Sequence, residues 1–205
     1  MKNIEAIIFD LGGVIINIDF NLTLRALEQY THIRLGEGEY LGKDALFYDF
    51  EVGKIDEDTF FEQLSRKFEL KADKNTLIDA WNALLLDIPQ QRVSLLRKLR
   101  SQMPIFILSN TNSTHIREVE NILRSQTDAQ NLSDLVQKPY YSFEMGKAKP
   151  EKAIYEQLIE ECNLIPQKTL FIDDSLKNLE GAKQVHLQTL HINPHTQSIM
   201  NFFSL

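Results

Sequence analysis

Three short apolar runs in this chain each end on residues that can do chemistry, and no other feature constrains the fold as tightly. Ile4-Glu5-Ala6-Ile7-Ile8-Phe9 stops at Asp10 and Gly12-Gly13, Pro104-Ile105-Phe106-Ile107-Leu108 at Ser109-Asn110, and Thr169-Leu170-Phe171-Ile172 at Asp173-Asp174-Ser175. Brief, nearly continuous apolar runs bounded by turn residues are the pattern of strands buried on both faces, as in parallel sheets. Further strands are expected at Tyr140 to Phe143 and Gln188 to Ile192. Helical stripes fall between them: one opening at Pro89 and running through Val93, Leu96 and Leu99, one after Lys149-Pro150 through Tyr155, Leu158 and Ile159, and one ending about Val185. Strands alternating with helices imply an α/β fold with a parallel sheet and right-handed crossovers.

The series is interrupted after its first strand. From about Asp19 to Leu86 the periodicity is helical: Leu77, Trp81, Leu84 and Leu85 fall at i, i+4, i+7 and i+8, and Phe60, Phe61, Leu64 and Phe68 form a second stripe behind a cap at Asp56. These stripes read as core. With no linker or low-complexity tract in view, the block reads as an insertion, giving a core of 1–17 and 88–205 and a helical subdomain of 18–87. The 205 residues, 43% hydrophobic and 25% charged, are enough for a core and such an insertion.

Composition excludes several classes of partner. A net charge of -7 argues against nucleic acid, which needs clustered Lys and Arg. No apolar run approaches the ~20 residues of a membrane span. The start lacks the architecture of a signal peptide, and the single cysteine, Cys162, cannot form an internal disulfide. A cytoplasmic protein acting on a small anionic molecule is the expectation, with its oligomeric state left open.

In an open parallel sheet, the carboxyl ends of the strands surround the ligand crevice, which is where Asp10, Ser109, Asp173 and Asp174 fall. A lone aspartate there would read as a helix cap. Several converging carboxylates repel one another unless a cation intervenes, and Mg²⁺ takes oxygen ligands while keeping positions for water and phosphate.

Phe9-Asp10-Leu11-Gly12-Gly13-Val14, Leu108-Ser109-Asn110-Thr111-Asn112, Lys149-Pro150 with Tyr155 beyond, and Phe171-Ile172-Asp173-Asp174 resemble, in order, the four motifs of the haloacid dehalogenase superfamily. The resemblance covers essentially the whole chain. It implies a Rossmann-like core with a helical cap of the C1 type and hydrolysis of a small phosphate ester. The wording is most similar to a bacterial branch that includes α-glucose-1-phosphate phosphatases, which makes sugar phosphates the leading substrate class by analogy.

The resemblance also implies roles. Asp10 would be the nucleophile, carrying an aspartyl-phosphate. Mg²⁺ would be held by Asp10, the backbone carbonyl of Gly12, and Asp174, with Asp173 assisting directly or through water. Ser109 and a backbone amide at Asn110 or Thr111 would bind phosphoryl oxygens, and Lys149 would counter charge on the phosphate and Asp10; Lys147 is less well placed. His115, six residues after Ser109, is placed to line the pocket, but a lone histidine is more often surface or helix packing and is left out of the catalytic set. Glu51-Val52-Gly53-Lys54-Ile55, between two cap helices, resembles a loop that approaches the pocket mouth in C1-capped proteins; a helix C-cap at Gly53 reads equally well.

One position departs from the pattern. Most phosphatases of the family carry a second aspartate two residues after the nucleophile, as leaving-group acid and later base, and here that residue is Gly12. Glycine preserves a backbone metal contact but supplies no proton, a loss worth ~10²–10⁴-fold for poor leaving groups. Asp19 is one candidate replacement, although capping the next helix suits it better. A 2-haloacid dehalogenase, which needs no such acid, and a weakly active phosphosugar-binding protein are the competing readings.

Overall fold

The computed structural model describes residues 3–35 and 44–203. Its strands are β1 (Ala6–Phe9), β2 (Ile105–Ser109), β3 (Lys138–Tyr141), β4 (Thr169–Asp173) and β5 (Gln188–His191). Its α-helices are α1 (Phe20–Glu28), α2 (Ala45–Glu51), α3 (Glu57–Lys67), α4 (Lys74–Asn82), α5 (Gln90–Arg100), α6 (Ser113–Gln126), α7 (Ser142–Met145), α8 (Lys152–Glu161) and α9 (Leu176–Lys183). The strands pair in the order β3-β2-β1-β4-β5, and every pairing is parallel.

Alternation along the strands feeds two cores. Ile7, Phe9, Ile105, Ile107, Leu170 and Ile172 pack on one face with Val93 and Leu96 of α5 and Val119 and Leu123 of α6. Ala6, Ile8, Phe106, Leu108 and Phe171 face the other side, against Ile154, Tyr155 and Leu158 of α8 and Leu179 of α9. Both faces being covered explains why these strands read as unbroken apolar runs. The chain travels outward from β1 through β2 to β3, then crosses back to β4 on the other side of β1, so strand order reverses between β1 and β4. That is where an open α/β sheet has its crevice.

The helices α1 to α4 carry their own core, in which Leu24, Leu27, Phe47, Phe60, Leu64, Leu77 and Trp81 are buried together. Each is started by an aspartate, Asp19, Asp44, Asp56 and Asp73, whose side chain accepts a backbone N–H of the first turn. Asp19 is therefore a cap. Two short segments join this block to the sheet and run antiparallel: Asp19 N–H donates to Leu84 O at 2.9 Å, Leu86 N–H to Asn17 O at 3.0 Å and Asn17 N–H to Asp87 O at 2.9 Å.

Three expectations need correction. The stripe through Leu84 and Leu85 outruns its helix: α4 ends at Asn82, and Leu85 bridges Ile18 in the connecting pair. The third strand begins two residues before Tyr140 and gives way to α7 at Ser142, because β3 is an edge strand and tolerates Pro139, which has no N–H to donate. Pro89 precedes the first turn of α5 as its N-cap.

Gly53 follows the end of α2 with φ of 69°, the helix C-terminal glycine that the sequence allowed. It also lies against the core: a Cβ there would fall on the Phe143 carbonyl oxygen of α7. Nearby, Tyr48 O–H donates to Glu151 at 2.7 Å, and Glu57 accepts from Thr114 and Arg117, each at 2.6 Å. Gly53→Ala should therefore lift the loop off α7. KM is expected to rise several-fold while global thermal stability changes less, measured by steady-state kinetics beside calorimetry; an unchanged KM would remove the loop from substrate access.

Candidate active site

Asp10 and Asp173 lie at the ends of adjacent strands, and Asp10 N–H continues the ladder to Ile172 O at 2.8 Å. Between the two carboxylates sits the ammonium of Lys149, donating to Asp10 Oδ1 at 2.7 Å and Asp173 Oδ2 at 2.8 Å, with its side chain 1% exposed. The Phe171 ring lies 5.4 Å below it. Burial alone would depress this lysine's pKa, but Asp10 and Asp173 outweigh that and raise it.

The backbone around Lys149 is fixed by Asn110. Its side-chain N–H donates to Lys149 O and its Oδ1 accepts Lys149 N–H, both at 2.8 Å. The Asn110 side chain is thus committed to positioning the lysine, leaving its backbone amide as the group able to meet a ligand. Thr111 N–H already donates to Ser142 Oγ at 2.9 Å. Ser109, buried at the end of β2, has among the described residues only a long 3.5 Å contact to Asn110 O, so its hydroxyl can turn to a ligand.

The carboxylates differ in their freedom. Asp10 Oδ1 accepts Leu11 N–H and Lys149, both at 2.7 Å, while Oδ2 has no donor among the described residues. Burial, with Asp173 and Asp174 adding repulsion and Lys149 opposing, pushes the Asp10 carboxyl up to about 7. Asp173 is saturated: Oδ1 accepts Ser175 N–H at 2.8 Å, and Asn178 reaches both oxygens at 3.1 and 3.2 Å. Asp174 is half-buried and its carboxyl is raised by burial and by Asp173. Its side chain makes no hydrogen bond among the described residues, while its carbonyl accepts from His191 at 2.9 Å.

Oxygens of Asp10, Asp173 and Asp174 all lie within 4.8 Å of one another. Three carboxylates so close, two of them with uncommitted oxygens, suit a hard divalent cation taken by oxygen. Gly13, at φ of 71°, makes room: a Cβ there would meet Asp174 Oδ2 at 2.5 Å. Gly12 is less confined, since a Cβ would touch only Ile18 Cδ1, at 2.9 Å.

Between the sheet ends and the four-helix block opens a cavity of about 750 Å³, which borders the cluster through Leu11 and Gly12, the two residues that follow Asp10. Gly12, Ser109 and Asn110 line its floor; Ile18, Phe47, Glu51 and Leu85 are among its walls. His115 lines it too, but its ring stacks on Trp81 at 5.0 Å, and burial lowers its pKa to about 4. It is neutral and packed on Trp81 while also lining the cavity, so both alternatives open in the sequence hold in part. Glu51 is half-buried, and burial, partly offset by Lys149, pushes its carboxyl up to about 7. In the sequence the Glu51–Ile55 motif is marked by its glycine, not by its carboxylate. Asn178 and Ser142 went unrecognised; the only signal was an Asp-Asp-Ser-x-x-Asn spacing that places Asn178 one turn into α9.

Fold and site define a parallel α/β enzyme with a carboxylate, lysine and hydroxyl converging at the reversal of its sheet. The family model for haloacid dehalogenase-like hydrolases matches residues 4–186, and the chain belongs to that family. It is 26% identical to the D-ribitol-5-phosphate phosphatase of Bacteroides thetaiotaomicron, over 91% of this chain and 90% of that one. It is 24% identical to the sesquiterpene phosphatase astK of Aspergillus oryzae, over 98% and 96%. A HAD family enzyme of Bacteroides thetaiotaomicron, solved as the wild-type protein with magnesium and inorganic phosphate, superposes with a TM-score of 0.87 at 28% identity, covering 98% of this chain and all of that one. Among the described residues, no helix is long and apolar enough to cross a membrane.

Proposed function

We propose that this chain is a magnesium-dependent phosphatase of the cytoplasm that hydrolyses a small phosphate ester through an aspartyl-phosphate on Asp10. The observation that carries the reading is the buried Lys149 ammonium shared between Asp10 and Asp173, with Asp174 free beside them. In this reading residues 1–17 and 88–205 are the catalytic core and 18–87 the cap. The haloacid dehalogenase alternative has no use for a third carboxylate in the cluster.

Asp10 Oδ2, the oxygen without a donor, attacks phosphorus; Leu11 N–H and Lys149 hold the other oxygen and fix the carboxylate's direction. Ser109 Oγ and the Asn110 amide receive phosphoryl oxygens, and Lys149 offsets the charge that spreads over them. Asp10, the Gly12 carbonyl and Asp174 would hold Mg²⁺, which supplies neutralising charge to an anion attacked by an anion. Asp173, whose oxygens are already occupied, acts chiefly by holding Lys149. Asp174→Ala should therefore weaken Mg²⁺ binding at least tenfold, and more than Asp173→Ala does, by isothermal titration; equal affinities would contradict this division.

Sugar and polyol phosphates are the leading substrates, supported by the ribitol-phosphate relative. A second reading, an ester with a hydrocarbon leaving group, is favoured by the apolar wall of Ile18, Phe20, Phe47, Leu84 and Leu85. The test is a phosphometabolite screen with Mg²⁺, including anomeric sugar, polyol and prenyl phosphates, run beside halide release from 2-haloacids. Chelator-sensitive phosphate release is expected. Metal-independent halide release would sink the phosphatase reading, and tight binding without turnover would leave a phosphoester-binding protein.

A further inference from the structure

We infer that Glu51, at the end of cap helix α2, is the proton donor to the leaving oxygen and the later base, replacing the carboxyl that Gly12 lacks. The inference rests on the phosphatase reading above. Among the described residues lining the 750 Å³ cavity, Glu51 carries the only carboxyl, and it shares that space with Gly12, Ser109 and Asn110. It forms no hydrogen bond or ion pair among the described residues, unlike Asp19, whose carboxylate caps α1, or Glu57, which is tied to Thr114 and Arg117. Its position is held firmly: α2 ends there, Gly53 abuts Phe143, and Tyr48, one turn earlier, bonds Glu151 across the cap–core junction.

The chemistry fits the location. A carboxyl that titrates near 7 is matched to both proton donation and proton abstraction near neutral pH, and burial brings Glu51 there with Lys149 opposing. As the bond from Asp10 Oδ2 to phosphorus forms, the bond to the ester oxygen breaks and that oxygen keeps the electron pair. It takes the Glu51 proton and leaves as the alcohol. The Glu51 carboxylate then accepts a proton from water, whose oxygen attacks phosphorus. The bond to Asp10 breaks, inorganic phosphate departs, and both carboxyl groups return to their starting states. Among the described residues, the other titratable side chains lining the cavity are the stacked and neutral His115 and exposed His195; Lys149, which opposes the rise of Glu51 from outside that lining, is committed to two carboxylates. Because the acid comes from the cap, proton transfer requires the cap in place, which ties turnover to closure.

The test is kcat/KM with Mg²⁺ across esters of graded leaving-group pKa, for the native chain, Glu51→Gln, His195→Gln and the Glu51→Gln/Gly12→Asp double variant. Glu51→Gln should lower the alkyl esters by ~10²-fold or more and leave aryl and acyl phosphates within a few-fold. It should also abolish the alkaline fall in alkyl-ester turnover near pH 7. Gly12→Asp, whose Cβ would meet Ile18 Cδ1 at 2.9 Å, should restore part of the alkyl activity in the double variant. A uniform loss across the series, or no loss, would overturn the assignment. So would a steepened series from His195→Gln in place of Glu51→Gln. A native chain that releases phosphate from no ester would instead remove the phosphatase reading beneath it.

Discussion

Asp10→Asn is expected to lower phosphate release by ~10⁴-fold or more, because an amide is a poor nucleophile and cannot form the acyl phosphate. The same change should stabilise the metal-free protein above neutral pH. The native carboxyl titrates near 7 against an ordinary value of 3.8, so between those values the folded state binds more protons than the unfolded one. Its contribution to stability is therefore complete below about 3.8 and is lost as pH rises through 7. The shift already includes the attraction of Lys149, so ionised Asp10 is a net burden without metal, and asparagine imitates its neutral form. At pH 8 the metal-free variant should melt higher than the native chain, by about 2–4 °C for each kcal/mol gained. Activity assays, together with melting curves in chelator and in Mg²⁺, check both halves. Retained turnover would remove Asp10 from its role; a lower melting point would mean that the Lys149 contact outweighs the burial.

The sheet and the strand-end residues were legible because burial on both faces writes itself as unbroken apolar runs, and because chain reversals after them need Gly, Ser, Asn or Asp. Ile7 and Ile8 announce a strand equally well although they face different cores. The ends of elements were less legible. Leu84 and Leu85 continue the helical stripe of Leu77 and Trp81, yet the chain must leave α4 to return to the sheet, and Thr23, sixty-one residues away, accepts the Leu84 N–H. What could not be read was commitment. Nothing in the sequence distinguishes Asn110 as a clamp on the Lys149 backbone from Asn110 as a ligand group, or saturated Asp173 from free Asp174. Those differences arise from hydrogen bonds between distant elements. Nor does the sequence single out Glu51 within its loop, since a carboxylate at the end of a helix looks solvated until the partner surface that buries it is known.

Lys149→Met removes the cation that the rest of the site is built around, and three quantities should move together. Turnover should fall by ~10³-fold or more, since the ammonium meets the phosphoryl charge in a site shielded from water, where a single donor is worth ~10²–10³-fold and a full charge exceeds it. The metal-free protein should lose about 3–5 kcal/mol of stability, the usual cost of breaking a buried ion pair from one side, because Asp10 and Asp173 would face each other unneutralised. Mg²⁺ affinity should increase, because the competing positive charge 2.7 Å from Asp10 is gone. Opposite signs for activity and metal affinity separate this outcome from simple misfolding, which would lower both. Mg²⁺ should also return more melting temperature to the variant than to the native chain. Lys149→Arg should rescue little, because the planar guanidinium does not fit the point-charge position that Asp10 and Asp173 share over the Phe171 ring. If Lys149→Met kept more than a tenth of native turnover, or bound Mg²⁺ more weakly while still folded, the lysine would be a structural counter-ion without a part in phosphoryl transfer.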